Sequence, residues 1–387
     1  MKKILRIINR FNLGGPTYNA AYLTKYLEPD YETLLIGGQH DESEKSSMHI
    51  LDNLGLKPLI IPEMQRSLNP YKDQIAYKKI LKIIKEFRPD IVHTHAAKAG
   101  ALGRRAAYKL GVKQIYHTFH GHVFHSYFSD FKTNIFKEIE RNLAKKTTKI
   151  IAISEIQKKE LSEIHRICPE EKIEVIPLGF DLERFSTNKD SKRKDFRKKW
   201  NLKENEIAIG IIGRLVPIKN HKFFIDAIQE TLKKSKFPIR AFIVGDGEEK
   251  QNIVKYIKNK NLDFSLDSSA ATFHLTSWIK EIDIVNSGMD IICLTSLNEG
   301  TPVSLIEAQA SGKPIVSTKT GGIENIVLEN KTALLSKNND LHNFSKNLLS
   351  LVNDSKKRIL FSKYGLEKSK DFHYDKLINS MKKLYKY

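Results

Sequence analysis

Two glutamates, Glu299 and Glu307, bracket a short turn in the stretch "LNEGTPVSLIEAQASGKPIVST" (297–318). The apolar run "MDIICLTS" before it has the composition of a strand buried on both faces. Thr301 is then expected to cap a helix with Pro302 in its first position, where the missing N–H costs nothing. Val303, Ile306 and Ala310 give that helix an apolar stripe, Gly312 ends it, and "PIVST" opens the next strand. At such a corner the N–H groups of Gly300, Thr301 and Val303 are free to meet an anion. Glu307, leaning back along the helix, points to the same corner. Carboxylates beside an anion site suit a ligand carrying both phosphate and hydroxyl groups, because they accept hydrogen bonds from sugar hydroxyls. Two ordinary glutamates on a solvated helix are the plainer reading of this segment taken alone.

Other strand ends carry the same kind of residue. "GIIGRLVPIKNH" closes a strand with Gly213, Arg214 and then Lys219, and two cations beside a glycine can clamp a diphosphate. A solvated helix start would ordinarily favour acids there. Gly14 and Gly15 follow the first strand, ahead of a helix expected to start at Pro16, and let backbone N–H groups approach a phosphate. Their spacing is not that of a dinucleotide fingerprint, and a plain tight turn explains them too. Gly245 and Gly247 in "FIVGDGEEK" would allow close approach to a flat ring or a ribose, or make a simple turn. "HTFHGHVFH" gathers His117, His120, His122 and His125 without a neighbouring cysteine or carboxylate, so the expectation is no metal and one cleft-facing histidine, His120 beside Gly121. His95 and Lys98 in "IVHTHAAKAG" take an analogous place after an earlier strand. No Asp-x-Asp pair is present to hold a cation.

The elements that must position these residues alternate almost from end to end. Strands are expected at "KKILRII", "ETLLIGG", "LKPLIIP", "DIVHTH", "KQIYHTFH", "KIIAIS" and "IEVIPLG", then at "EIAIGIIG", "IRAFIVGDG", "ATFHLTS", "IICLTS" and "PIVST". Helical segments such as "AYKKILKIIKEF" and "FKEIERNLAKKT" lie between them. This pattern predicts an α/β chain of two doubly wound parallel sheets, with ligands at the carboxyl ends of strands in a cleft. "IPLGFDLERFSTNKDSKRK" reads as the linker, and "YDKLINSMKKLYKY" as a final basic amphipathic helix.

At 387 residues two domains are the natural division. No apolar run is long enough to span a membrane, and the basic start of the chain reads as a first strand, not a signal peptide. Two cysteines, Cys168 and Cys293, suggest neither a disulfide framework nor a zinc site. The net charge of +20 is spread over both halves and fits acidic partners of any kind: phosphorylated small molecules, anionic lipid or nucleic acid.

Taken together, Glu299-x7-Glu307 with Gly300, "GRL" followed by Lys219, "VGDG", the first-strand Gly-Gly and His120-Gly121 resemble glycosyltransferase family 4, retaining enzymes of GT-B architecture. "VHTHAAKAGALGR" and "HTFHGHVFH" are similar to bacterial members that build capsule, lipopolysaccharide and related glycans. The resemblance implies two Rossmann-like domains, an acceptor-side domain at 1–177 and a nucleotide-sugar domain at 178–365, with a helix at 366–387 returning to the first. It implies a nucleotide-sugar donor, expected to be a UDP-sugar, and a glycan or polyprenyl-linked acceptor, with no cofactor, no metal and no nucleic acid. Arg214 and Lys219, beside Gly213, would hold the diphosphate and Glu307 the ribose. Glu299 and His120 would meet the sugar, helped by the N–H groups of Gly300, Thr301 and Val303. Gly14 and Gly15 would lie near the phosphates, and the base near Gly245 and Ile279. The expected place is the cytoplasm, with "YKKILKIIK" and the loop 125–131 as candidates for touching an anionic membrane surface. The rival readings are a UDP-sugar 2-epimerase of the same fold and a non-enzymatic binder of anionic surfaces or nucleic acid.

Overall fold

The structure, a computed structural model, describes all residues except 13, 40–46, 66, 68, 122–129 and 387, and the backbone alone of 130–132. Fourteen strands are described: β1 (Lys2–Arg10), β2 (Tyr31–Gly38), β3 (Leu59–Ile60), β4 (Ile91–His95), β5 (Gln114–Phe119), β6 (Lys149–Ala152), β7 (Ile173–Val175), β8 (Ile207–Ile212), β9 (Ile239–Val244), β10 (Phe264–Ser265), β11 (Phe273–Ser277), β12 (Ile291–Leu294), β13 (Ile315–Thr318) and β14 (Ala333–Ser336). They form two sheets of seven, ordered β3-β2-β1-β4-β5-β6-β7 and β10-β11-β9-β8-β12-β13-β14. Every pairing is parallel. Each sheet thus belongs to the doubly wound class, with its order reversing beside its first strand: between β1 and β4, and between β8 and β12.

The chain divides into one unit of Met1–Phe180 with Phe372–Tyr387, and a second of Asp181–Asp371. The crossings therefore lie at 180/181 and 371/372. Within the first unit they are stitched together, Phe180 N–H to Phe372 O at 2.8 Å and Tyr374 N–H to Phe180 O at 3.0 Å.

Successive side chains of a strand face opposite ways, and the cores follow that alternation. In the first unit Leu5 and Ile7 of β1 pack with Ile80, Ile84 and Ala106, while Ile4 packs with Leu23, Leu377 and Met381. In the second, Ile209 and Ile211 of β8 pack with Phe224, Ile228 and Phe344. Across that sheet Phe242 meets Phe196 and Trp200, with ring centroids 5.3 and 5.4 Å away.

That last contact corrects the expected linker. Residues 189–194, its most charged part, open the helix Lys189–Lys199, anchored by buried Phe196 and followed by buried Trp200. Three of its cations are paired: Lys192 with Asp283 (2.9 Å), Arg193 with Asp290 (2.7 Å) and Arg197 with the other oxygen of Asp290 (3.4 Å). A run of lysines and arginines looks solvated in one dimension; two aromatic residues and two distant aspartates fold it onto the sheet.

Candidate functional site

The strand order puts the loops after β8 and β12 side by side, and these carry most of the residues singled out above. The first runs from Gly213 to Lys219, ending in a single 3-10 turn, Pro217–Lys219. The second pins it: Leu297 N–H donates to Ile218 O at 2.8 Å, and the Thr295 hydroxyl to Lys219 O at 2.9 Å. The result is an ion pair between Lys219 Nζ and Glu299 Oε1, nearly withdrawn from solvent. Ser296 Oγ donates to the same carboxylate oxygen at 2.6 Å.

Thr301 does not cap the following helix. Pro302 occupies the cap with extended backbone (φ −73°, ψ 100°), the helix is Val303–Ala310, and no side chain caps it. Proline fixes φ but leaves ψ free, and here ψ is not helical, so the start slips by one residue. After the slip, the N–H groups of Gly300, Thr301 and Val303 have no acceptor among the described residues. The carboxyl of Glu307, a partly buried residue of this helix, makes no hydrogen bond to a described residue. Burial pushes its carboxyl up to about 7, with Arg184 lowering it and Asp283 raising it. A desolvated carboxyl with its lone pairs unspent can accept hydrogen bonds from hydroxyl groups. Arg214 is exposed and its guanidinium has no partner among the described residues, and Ile279 is half-buried after β11.

Glycine has a structural task here that spacing did not reveal. A Cβ on Gly245 (φ +151°) would lie 1.8 Å from Gly213 O, and one on Gly247 (φ +155°) 2.4 Å from Leu215 O. Both therefore let the β9 loop lie against the β8 loop; neither needs a ligand to explain it. The same device supports Glu299 from the loop after β13, where a Cβ on Gly321 (φ +52°) would lie 1.9 Å from Glu299 O and one on Gly322 1.8 Å from Gly300 O. Gly111, with a similar φ of +68°, has no atom within 4 Å of such a Cβ. Gly111→Ala should thus cost about 1–2 kcal/mol from conformation alone. Gly321→Ala should cost clearly more and impair whatever Glu299 binds; denaturant unfolding of both variants checks this.

At the first sheet the helix after β1 starts at Gly15, one residue before the expected Pro16, with Gly14 as its cap and no acidic residue in its first turn. Gly14 O accepts from Thr17 N–H at 3.1 Å. His95 ends β4, and His120 follows β5 directly. Their rings stack 5.3 Å apart, with His95 Nδ1 3.0 Å from His120 Nε2. Burial pulls His120 down to about 3, so it is neutral at physiological pH. Lys98 does not join them: its ammonium is committed to Asp73 (2.7 Å) and to Ser67 O (2.5 Å). His117 is a core residue, 2.8 Å from the Thr94 hydroxyl. His122 and His125 lie outside the described residues, as does most of the loop 125–131. Among the described residues no three histidine, cysteine or acidic side chains are placed to share a metal.

Sequence reasoning missed Thr295, Ser296 and the Gly321-Gly322 pair around Glu299, and Arg6, His93 and Tyr385 behind His120. The second Gly-Gly after a strand was the available signal for the former. An arginine in the otherwise apolar "KKILRII" was the signal for the latter.

Comparison with known proteins gives this arrangement a context. A family model described as Glycosyltransferase Family 4 matches residues 14–184, and one described as Glycosyl transferases group 1 matches residues 192–368. The chain is 31% identical over 334 residues to the UDP-Gal:alpha-D-GlcNAc-diphosphoundecaprenol alpha-1,3-galactosyltransferase of Escherichia coli, covering 85% of this chain and 84% of that protein. In fold it resembles the crystal structure of a glycosyltransferase from Rickettsia africae (TM-score 0.80, 21% identity, 100% and 98% of the two chains). It also resembles Anabaena HepE in complex with UDP (TM-score 0.81, 19% identity, 100% of both chains).

Proposed function

The chain belongs to glycosyltransferase family 4, and we propose that it moves a hexose or N-acetylhexosamine from a UDP-sugar to a lipid-linked or glycan acceptor, with retention at the anomeric carbon. The observation that carries this reading is the loop pair at the second sheet's reversal point. There the loop after β8 carries Lys219 and Arg214, and the loop and helix after β12 carry three N–H groups with no acceptor among the described residues and the desolvated carboxyl of Glu307. A nucleoside diphosphate has both kinds of partner. The E. coli relative supports the donor and acceptor class, being named for UDP-galactose and a diphosphoundecaprenol acceptor.

In this reading Arg214 and Lys219 hold the diphosphate and Glu307 the ribose hydroxyls. Glu299, freed as phosphate takes over Lys219, meets the sugar. Gly14 and Gly15 serve the phosphates, His120 the sugar, and the segment at Gly245 and Ile279 the base. The bond from the anomeric carbon to the diphosphate breaks as the acceptor oxygen bonds to that carbon, and the acceptor's proton passes to the departing diphosphate. Charge grows on the leaving group, so the fixed cations and N–H groups supply the main stabilisation, in the role a divalent metal plays elsewhere.

No described helix is long and apolar enough to cross a membrane. The helix Pro70–Phe87 spends Ala76, Tyr77, Ile80 and Ile84 on the core, which leaves Lys78, Lys79, Lys82 and Lys85 outside. Attachment to an anionic membrane on the cytoplasmic side, in service of capsule or lipopolysaccharide synthesis, would therefore rest on charge and yield to salt. One experiment tests both statements: UDP-galactose, UDP-glucose and UDP-N-acetylglucosamine are offered with a polyprenyl-diphosphate-GlcNAc acceptor in anionic vesicles, under excess EDTA. Transfer with retained configuration, and co-sedimentation that fades with salt, are the expected results. No transfer from any donor, or transfer that EDTA abolishes, would sink the respective claims.

A further inference from the structure

Behind His120 runs a buried polar chain with no carboxylate in it. Arg6, in the middle of β1, is fully buried. Its Nη1 lies 2.9 Å from His93 Nδ1, 3.3 Å from His95 Nε2 and 3.5 Å from the Tyr385 hydroxyl. A guanidinium can only donate, so both of those histidine nitrogens must accept. His93 Nδ1 also lies 2.5 Å from the Tyr385 hydroxyl, which must then donate to it, and His93 Nε2 lies 2.8 Å from Thr118 Oγ1. With the His93 lone pair shared in this way, His95 Nε2 is the open acceptor for the remaining Nη1 hydrogen.

The consequence passes along the chain. Burial, first among the causes, holds His93 and His95 well below the ordinary histidine value, so each ring carries one proton at neutral pH. If His95 Nε2 accepts from Arg6, its proton is on Nδ1, which faces His120 Nε2 at 3.0 Å. His120 Nε2 is then the acceptor, and the single proton of that ring must sit on Nδ1. That atom is buried and has no partner among the described residues. We propose that Arg6, acting through His95, fixes the ring tautomer of His120, so that His120 offers a ligand a neutral Nδ1–H donor and no base. Arg6 and His95 are positioning residues in this scheme. Only the identity of the ligand atom, a sugar oxygen, rests on the reading of function given above.

The test needs no substrate. The full-length chain, labelled with 15N-histidine and free of ligand, is examined at neutral pH by long-range 1H–15N correlation, with His120 assigned by its absence in His120→Gln. The Nδ1–H tautomer is expected; the Nε2–H tautomer, a mixture of the two or a doubly protonated ring would overturn the proposal. His95→Asn places an amide donor where Nδ1 stood and should keep the His120 tautomer. His95→Asp, of the same size but able only to accept, should reverse it. The same tautomer in both would also overturn the proposal, and if His95→Asp fails to fold, the wild-type spectrum still decides. In transfer assays His95→Asp should lose about tenfold more turnover than His95→Asn, the worth of one hydrogen bond. Should no donor sugar be transferred at all, the reading of function fails while the spectra still judge the tautomer.

Discussion

Lys219→Ala is expected to abolish the thermal stabilisation that UDP gives the wild-type chain and to lower turnover by about 10²–10³-fold. The lysine does two things at once. Its ammonium is the only described cation paired with Glu299, and the turn at 217–219 holds it against the loop that leads to the N–H groups of Gly300, Thr301 and Val303. Its removal subtracts a phosphate contact and leaves a nearly buried carboxylate uncompensated, which repels the diphosphate. The two effects can be separated. Lys219→Ala with Glu299→Gln should recover the stability of the unliganded protein without restoring UDP binding. Wild type should gain about 2.7 kcal/mol of stability at a ligand concentration one hundred times the dissociation constant. Scanning UDP, GDP, ADP and NAD against both proteins names the base as well, and an equal shift in wild type and Lys219→Ala would remove Lys219 from the site.

Glu307→Gln should move stability and binding in opposite directions. The carboxyl is raised from 4.5 to about 7 by burial, so the folded state holds its proton more tightly than the unfolded chain does. Between those two values the native protein binds more protons, and stability must fall as pH rises through that window. The unliganded glutamine variant lacks this loss. At pH 8 it should be more stable than wild type by up to about 3 kcal/mol, and the advantage should vanish toward pH 4.5. UDP affinity should drop about 10–100-fold in the variant, because hydrogen bonds from two ribose hydroxyls to a carboxylate are worth more than those to an amide. In wild type the affinity should climb with pH near 7 as the carboxylate forms. Parallel pH–stability curves for the two proteins would refute the role given to Glu307.

The residues in these two predictions were legible because each lies on the loop or helix that follows a strand apolar on both faces. A parallel strand declares itself by composition, and the doubly wound rule then says where ligands lie. Twelve of the strands could be read that way. β10 and β14 could not, being a two-residue and a four-residue edge strand that borrow their pairing from neighbours. The helix Lys189–Lys199 was hidden because its stabilising partners, Asp283 and Asp290, are far away in sequence. The cap at Pro302 was misplaced by one because ψ at a proline is decided by what the next turn packs against. The tie between His95 and His120 joins two strand ends that share only sheet order, so no local pattern announces it.

The four glycines that let one loop backbone rest on another, Gly245 on Gly213, Gly247 on Leu215, Gly321 on Glu299 and Gly322 on Gly300, divide inheritance into a frame and its contents. The frame is main chain against main chain and tolerates no side chain at four positions. The contents, such as Arg214, Ile279 and the side chains at 301 and 303, project from it without holding it up. A lineage can therefore exchange the groups that meet a sugar or a base one at a time, each swap tried on a platform that does not move. New specificities would arise by retouching the lining, and the cost of a failed trial would fall on affinity while the fold goes on being inherited intact.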